Sequence, residues 1–279
     1  MSDRSVNGAG VGLRPVHVPY ILEQRPAVPW FEILIDNFLY GDRDAAYRVL
    51  EQIRANYPVA FHSVGLDVGS VEPINASLLR DLTNCAREFQ PAFVSTHLCW
   101  TASAGYAHHD LLPLPFTDEA VAHCAARIQK FQDALGEQIL IENISAYMRT
   151  TLDALSEGEF LRAVAEAADC YLLIDINNLY INDCNHREDG VSLEQDFFQH
   201  VPRHRIRQYH LAGFEDRNTH LLDTHGAPVA DPVWELFARA LNHWGPAPTC
   251  IERDANLPPE FQELFDEVLR AQEFLDRCN

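Results

Sequence analysis

The sequence is short of positive charge. Its 279 residues include a single lysine, Lys130, and 21 Lys and Arg together stand against 41 Asp and Glu, for a net charge of −20. A surface of that sign repels phosphate backbones and anionic membranes, so we expect neither nucleic acid nor a membrane as a partner. A sugar isomerase would need a catalytic lysine or a His–Asp pair, and the single lysine, Lys130, falls within a predicted helix.

Cysteine pairs with metal-binding spacing are absent as well. The seven cysteines are scattered and none forms a CxxC arrangement, which argues against a structural zinc site or a disulfide framework. No signal peptide precedes them, and no apolar run approaches the roughly 18 residues that span a bilayer. We therefore expect a cytoplasmic protein with reduced, mostly buried thiols.

Short apolar segments that end in polar residues recur eight times, in alternation with segments of helical periodicity. They cover residues 10–14, 31–37, 59–64, 92–98, 138–143, 171–178, 205–212 and 248–254. Strands that alternate with helices predict an α/β fold with a parallel sheet, and eight such units predict a single closed (β/α)8 TIM barrel. We expect a flexible lead-in over residues 1–9 and one catalytic barrel domain over residues 10–279.

Three longer connections, at residues 99–116, 182–190 and 213–229, are rich in polar residues and are predicted as loops. The first contains His108, His109 and Asp110, which could bind a metal, although we favour a solvated turn. Predicted helices flank these loops. Thr117 should cap one of them, and Ser156 with Glu159 should form a capping box at the start of another.

The strand ends carry an unusual set of side chains. A lone histidine there is more often a hydrogen-bonded core residue than a ligand, and a lone buried glutamate is usually a hydrogen-bond acceptor. A barrel, however, directs all its strand ends at one small volume, where the chemistry of this fold occurs. The strand ends supply His62, His97, Glu142, Asp175, Asn178, His210 and Glu252, and the following loops add His186, Asp223 and His225.

Carboxylates that converge in this way require a cation, because like charges so close together otherwise take up protons. Mixed imidazole and carboxylate ligands suit iron, zinc or manganese rather than magnesium or calcium. The candidates outnumber the ligands of one ion, so we predict two or three ions that share a bridging carboxylate, Glu142 or Asp175. One of Arg253 and Asp254 should point into the mouth of the site, with Asp254 as an acceptor or base.

Nine segments, in order along the chain, resemble the motifs of one family. This is the family of multinuclear non-haem iron-dependent oxidative enzymes to which MbnB and TglH belong, once known only as a domain of unknown function. The resemblance extends from about Gly10 to the last helix. It is carried by the segments that begin at Gly10 (GVGLR), Phe61 (FHSVGL), Ser95 (STHLCW), Asp110 (DLLPLP), Ile141 (IEN), Leu173 (LIDINN), His210 (HLAG), Leu222 (LDTH) and Ile251 (IERD).

The resemblance implies a TIM barrel with two or three irons, Fe²⁺ or Fe³⁺, and dioxygen as co-substrate. The substrate would be a cysteine in a ribosomally made precursor peptide, and a small partner protein would bind the peptide's leader. The implied ligands are His62, His97, Glu142, Asp175, Asn178, His186, His210, Asp223, His225 and Glu252, with Asn143 and Asp254 as catalytic residues. The usual family motif has an aromatic residue between the last two acids, where this chain has Arg253.

Several reactions fit these expectations. We favour excision of Cβ from a C-terminal cysteine, the TglH reaction of 3-thiaglutamate biosynthesis, and the alternative within the family is MbnB-like formation of an oxazolone and thioamide. A metal-dependent hydrolase or isomerase of TIM-barrel type, such as an endonuclease or a sugar isomerase, would use a similar cluster. A metal-binding protein without turnover is the third alternative.

Overall fold

Eight parallel strands close into a barrel in the computed structural model, which describes residues 5–39, 43–103, 106–186 and 192–278. The predicted TIM barrel is therefore confirmed. The barrel strands are β1 (Ala9–Gly12), β2 (Phe31–Leu34), β3 (Val59–Ser63), β4 (Val94–His97), β7 (Leu140–Glu142), β8 (Tyr171–Asp175), β9 (Ile206–Leu211) and β12 (Thr249–Ile251). The remaining strands form two hairpins outside the barrel, β5 (Trp100–Ser103) with β6 (Tyr106–Leu112) and β10 (Phe214–Asp216) with β11 (Leu221–Asp223).

Helices lie between consecutive barrel strands and cover them. They are α1 (Val18–Gln24), α2 (Asp36–Leu39), α3 (Arg43–Asn56), α4 (Ala76–Phe89), α5 (Asp118–Leu135), α6 (Glu157–Ala168), α7 (Ile176–Asn185), α8 (Leu193–His200), α9 (Asp231–Trp244) and α10 (Gln262–Asp276). Because helices cover the outside and side chains fill the inside, the barrel strands are buried almost throughout. Large apolar side chains such as Phe61 and Trp234 are almost completely buried, and each contributes roughly 1.5–3 kcal/mol to folding.

Helix starts follow the capping residues in the sequence. The Thr117 side chain accepts the Ala120 N–H at the start of α5, and Ser156 and Glu159 form the predicted capping box at the start of α6. Gly136 ends α5 in the left-handed conformation, with φ of 79°. These predictions are confirmed because capping depends on a few adjacent residues.

Two of the predicted loops contain strands instead. Residues 99–116 hold the hairpin of β5 and β6, and residues 213–229 hold the hairpin of β10 and β11. The sixth predicted strand is also shorter, because β8 ends at Asp175 and α7 begins at Ile176. The apolar run of residues 172–176 hides this boundary, since apolar residues suit a buried strand and a buried helix equally well.

Part of the predicted lead-in, residues 1–9, contacts the rest of the protein. Met1–Arg4 lie outside the described residues, whereas Val6 is buried and Gly8 accepts the Thr249 backbone N–H. The division into a lead-in and one catalytic domain stays a prediction. Among the described residues, no helix has the length and apolar composition to cross a membrane.

The cysteines match the prediction of inert thiols. All seven are free, and Cys85, Cys99, Cys124, Cys170 and Cys250 are buried. Burial raises the pKa of the Cys85 thiol to about 11 and that of Cys124 to about 12. At such values almost no thiolate exists at neutral pH, and the thiolate is the reactive form.

Glu157, at the start of α6, generates a prediction about pH and stability. Asn182 Nδ2 donates to its Oε1 at 3.2 Å, and burial raises its pKa to about 7, against the smaller opposing effect of Arg149. Stability from a raised carboxyl pKa is present below the unfolded value and is lost as pH rises through about 7. We expect Glu157→Gln to be more stable than wild type at pH 8.5, by on the order of 2 kcal/mol, with little difference at pH 4.5.

Chemical denaturation at the two pH values measures this effect. The matched control is Glu166→Gln on the exposed face of the same helix, which should change stability little at either pH. An equal change for Glu157→Gln at both pH values would contradict the prediction.

Candidate metal centre

Strand register brings the predicted side chains to the same level at the mouth of the barrel. His97 on β4 lies beside Glu142 on β7, and Asp175 on β8 lies beside His210 on β9. Both pairs occupy the carboxyl ends of their strands, where active sites of this fold lie. Closure of the barrel thus places residues from distant parts of the sequence next to one another.

The first group of potential ligands consists of His62, His97 and Glu142. The Nε2 atoms of the two histidines lie 3.6 Å and 3.5 Å from Glu142 Oε2. His62 is held in this orientation by Ser95, whose Oγ is 2.8 Å from His62 Nδ1. Both imidazoles therefore direct Nε2 at one carboxylate oxygen.

The second group consists of Glu142, Asp175, His210 and Glu252. His210 Nδ1 lies 3.1 Å from Glu142 Oε1 and 3.0 Å from Glu252 Oε2. Asp175 and His210 have no exposed surface, and Glu142 is 1% exposed. Three carboxylates and one imidazole thus share a small buried volume.

The third group consists of His225, Glu252 and Asp254. His225 Nδ1 lies 3.3 Å from Glu252 Oε2 and 3.2 Å from Asp254 Oδ2, while its Nε2 is 2.9 Å from Asp223 Oδ1. Glu142 therefore belongs to the first and second groups, and Glu252 belongs to the second and third.

The loop that carries His225 is held in a strained conformation. His225 has φ of 45°, a left-handed value that costs a non-glycine residue roughly 1–2 kcal/mol. Its carbonyl accepts the Asp254 N–H at 2.8 Å, and this bond anchors the loop. Gly213 permits the close approach of the same loop, because a Cβ there would lie 2.2 Å from the Ala227 carbonyl oxygen. Strain of this kind is typical of functional sites.

Local hydrogen bonds fix the orientation of the Asp175 carboxylate. Asp175 is the N-cap of α7, and its Oδ1 accepts the Asn178 N–H at 2.7 Å. That bond fixes one carboxylate oxygen and leaves Oδ2 directed at the cluster. The Asn178 side chain lies one helical turn further on, and its Nδ2 donates to the Asn143 carbonyl, so that its Oδ1 is also free for the cluster.

The donor set fits a metal centre. Two ligands about 2.1 Å from one ion and at right angles lie about 3.0 Å apart, which matches the contacts of His210 Nδ1. Among the described residues, the buried acceptors Glu142 Oε2, Asp175 Oδ2 and Asn178 Oδ1 have no hydrogen-bond donor. An acceptor without a donor is costly to bury unless a cation supplies the missing charge.

The pKa values of the cluster are displaced in opposite directions. Burial and the negative charge of Glu142 raise the pKa of Asp175 well above its usual value. Burial also raises the pKa of Glu142, but His210 and His97 outweigh that effect and lower it. Burial lowers the pKa of His97 to about 4, so its imidazole is neutral, the form that binds metal.

Asn143 and His186 are predicted site residues whose contacts lie outside the groups. The Asn143 amide exchanges two hydrogen bonds with the Asp175 backbone, at 3.0 Å and 2.9 Å, which align β7 with β8. A catalytic role for Asn143 stays a prediction. His186 lies at the end of α7, and its Nε2 is 2.6 Å from the Ala146 carbonyl oxygen. The structure does not bring His186 into any of the groups found among the described residues.

Glu32 and Arg14 belong to the site and were not among the predicted site residues. Glu32 on β2 is 2% exposed and contacts His210 Nε2 at 3.0 Å. Arg14, just after β1, forms an ion pair with Asp254 and donates Nε–H to the Arg253 carbonyl. In the sequence, each is a charged residue within or just after an apolar strand, and this pattern is the signal that could have identified them.

The residues after β12 alternate in direction. Asp254 faces the cavity, whereas Arg253 is buried on the other side and pairs with Glu263 and Glu267 of α10 at 3.1 Å and 3.0 Å. The expectation that one of Arg253 and Asp254 points into the mouth is met by Asp254.

A cavity of about 520 Å³ opens above the cluster, within the usual size range of ligand sites. Glu252 and Asn178 contribute to its floor, and His108 and Asp110 of the β5–β6 hairpin contribute to its wall. The assignment of these two residues to a solvated turn was therefore incomplete, since they are exposed but face the cavity.

A family model described as the RiPP precursor modification enzyme MbnB/TglH/ChrH matches residues 8–276, where RiPP denotes a ribosomally synthesised and post-translationally modified peptide. The chain belongs to this family. Its relatives include a UPF0276 protein of Acaryochloris marina, 43% identical over 97% of this chain and 96% of the relative. Another is a UPF0276 protein of Pseudomonas aeruginosa, 38% identical over 99% and 95% of the two chains.

Solved structures with the same fold are more distant. Endonuclease IV from Thermus thermophilus superposes with a TM-score of 0.62 at 14% identity, over 97% of this chain and 99% of the other. A D-allulose 3-epimerase from Methylomonas sp. gives 0.58 at 15% identity, over the whole of both chains. These likenesses establish the TIM barrel, and membership of the MbnB/TglH/ChrH family makes the chain an enzyme that modifies a precursor peptide.

Asp175 generates a prediction with opposite effects on metal binding and stability. Asp175→Asn keeps the cap on the Asn178 N–H but removes a buried carboxyl group whose pKa is raised by burial and by the charge of Glu142. We expect the metal-free variant to be more stable than wild type by about 1 kcal/mol, while its affinity for Fe(II) falls at least tenfold. Anaerobic iron titration and thermal unfolding of the metal-free protein measure the two effects, and unchanged iron affinity would remove Asp175 from the ligands.

Proposed function

We propose that the protein is an oxygen-dependent iron enzyme that modifies a cysteine of a precursor peptide. The observation that carries this proposal is the overlap of the three ligand groups through Glu142 and Glu252. Overlapping groups suit two or three ions joined by bridging carboxylates better than one ion. Family membership supports the peptide substrate.

The ligand chemistry supports iron. The groups at the mouth of the barrel combine imidazole nitrogens with carboxylate oxygens and contain no thiolate, a set that suits iron, zinc or manganese. Zinc has no redox chemistry, and iron bound here would activate dioxygen and bind the substrate thiolate.

Different residues of the chain would bind the different ions. His62, His97 and Glu142 would hold one ion, Glu142 with Asp175 and His210 would hold the next, and Glu252 with His225 would hold the third. Asn178 and Asp223 offer further oxygen atoms to these ions.

Asp254 is the residue best placed to accept a proton from the substrate. Its carboxylate lines the cavity, is half exposed, and is fixed on both sides by Arg14 and His225. Burial raises its pKa, but the hydrogen bond with His225 and the charge of Arg14 lower it below the usual value. Asp254 therefore stays ionised and available as an acceptor at neutral pH.

The cavity supports a short peptide end as the substrate. Its volume of about 520 Å³ holds a few residues rather than a folded domain. We favour a C-terminal cysteine that loses Cβ, and the alternative product is an oxazolone with a thioamide. Mass spectrometry separates them, because the first reaction removes a carbon atom and the second removes only hydrogen atoms.

A small partner protein that holds the peptide leader completes the proposal. Large apolar side chains are exposed on the loops that follow the barrel strands, the same face as the cavity: Tyr106, Met148 and Leu152 are 75%, 62% and 66% exposed. Exposed apolar groups around an active site favour a protein or peptide partner.

The hydrolase and isomerase alternatives have less support. An endonuclease needs a cationic rim for its DNA, and Arg14 is the one Arg or Lys among the residues that line the described cavity. It is already paired with Asp254. Lys130 lies on the exposed face of α5, which leaves a lysine-dependent isomerisation without its base.

Anaerobic reconstitution with Fe(II), followed by oxygen uptake with a peptide that ends in cysteine, tests the proposal. We expect two or three irons per chain and oxygen consumption that requires the cysteine. Glu142→Ala should lose more iron than His97→Ala, because Glu142 belongs to two groups and His97 to one. A protein that holds stoichiometric zinc or manganese and consumes no oxygen would contradict the proposal.

A further inference from the structure

We infer that Glu32 is a positioning residue for the metal centre, which holds the His210 ring so that Nδ1 faces the cluster. The inference rests on the proposed metal-dependent function and adds a residue to it. Glu32 lies on β2, outside the motifs that carry the family resemblance. Its side chain reaches His210 of β9 through the interior of the barrel.

The contact between Glu32 and His210 is close and is shielded from solvent. His210 Nε2 lies 3.0 Å from Glu32 Oε1 and 3.1 Å from Oε2. His210 has no exposed surface and Glu32 is 2% exposed. A carboxylate at these distances accepts the Nε2 proton. Glu32 therefore determines which ring nitrogen carries the proton, from the side of the ring opposite the cluster.

Gln208 fixes Glu32 in turn. Its Nε2 lies 2.5 Å from Glu32 Oε2 and 2.9 Å from His210 Nε2. The charged carboxylate oxygen is the stronger acceptor, so the amide donates to Glu32 Oε2 and the ring nitrogen keeps its own proton for Glu32 Oε1. Gln208 precedes His210 by two residues on β9, so both side chains point into the barrel. Glu32 is therefore held by an amide and an imidazole from the same strand, and its orientation does not depend on a bound ion.

The other nitrogen of His210 is left for the metal. Nδ1 lies 3.1 Å from Glu142 Oε1 and 3.0 Å from Glu252 Oε2. A histidine that donates one N–H to a carboxylate presents the opposite nitrogen, in the correct tautomer and with increased basicity, to a metal. Loss of such a partner typically weakens metal binding by about 10- to 100-fold.

Glu32 and His210 could instead belong to a separate ion site. Glu32, His210 and Cys250 lie close enough to hold an ion of their own. However, both oxygens of Glu32 already receive donors, and Cys250 Sγ donates to the Ile251 carbonyl at 3.6 Å. A thiol that donates carries its proton and is not in the form that binds metal. The geometry favours Glu32 as an acceptor rather than a ligand.

Iron affinity of Glu32→Gln tests the inference. The glutamine has the same size but can present its amide N–H to His210 Nε2, which moves the ring proton to Nδ1. We expect Fe(II), measured anaerobically by competition with a chelator, to bind about 10- to 100-fold more weakly. The matched control is Glu157→Gln, a second buried glutamate held by an amide side chain, Asn182, and it should bind Fe(II) like wild type.

A second readout separates positioning from a general effect on folding. In the metal-free protein labelled with ¹⁵N-histidine, the His210 Nε2 proton should give a slowly exchanging downfield resonance. That resonance should be lost in Glu32→Gln and in His210→Ala and retained in Glu157→Gln. If Glu32→Gln does not fold, Gln208→Met, which removes the amide that contacts both Glu32 and His210 Nε2, should weaken Fe(II) binding to a smaller degree.

Three results would count against the inference in different ways. A folded Glu32→Gln that binds Fe(II) within twofold of wild type overturns it. A loss of affinity in Cys250→Ser as large as that in Glu32→Gln also overturns it, in favour of a separate ion site. Wild-type protein that binds no Fe(II) overturns the proposed function itself, and the inference with it.

Discussion

Three carboxylates share one buried volume at the mouth of the barrel, and the rest of the site is arranged around that constraint. Glu142 and Asp175 are essentially buried and Glu252 is 8% exposed. Without a cation, the cluster divides the charge unevenly: burial and repulsion raise the pKa of Asp175, while facing imidazoles lower the pKa of Glu142 and Glu252 against the effect of burial. The fold therefore maintains an arrangement that is costly by itself, and cations relieve that cost.

Two histidines of the cluster, His62 and His210, are held by residues outside it. His62 is oriented by Ser95 through Nδ1, and His210 by Glu32 through Nε2. In each ring, the nitrogen opposite that bond faces the carboxylates. Because these orienting partners lie on neighbouring or opposite barrel strands, the geometry of His62 and His210 depends on barrel closure, whereas that of His225 depends on its loop. A site built in this way is rigid before any ion binds.

The sequence predicted the fold and most of the cluster, because both depend on local patterns. Strand ends were recognisable from apolar runs that finish in polar residues, and barrel closure brings together six predicted strand-end residues, His62, His97, Glu142, Asp175, His210 and Glu252. Glu32 lies within β2 rather than at its end, and its partner His210 is 178 residues away in the chain, so the strand-end pattern did not include it. The two hairpins were missed because their polar segments lack a clear alternation of apolar and polar residues.

Arg253 shows why a departure from the family motif leaves the site intact. The alternation after β12 directs Glu252 and Asp254 to the cavity and turns the residue between them towards α10, where Arg253 pairs with Glu263 and Glu267. Glu267 also accepts the Val229 backbone N–H at 2.6 Å, and Val229 belongs to the segment that follows His225. The substitution of arginine for an aromatic residue therefore ties the His225 loop to the closing helix through charge rather than through apolar packing, while the side that faces the metal centre keeps both acids.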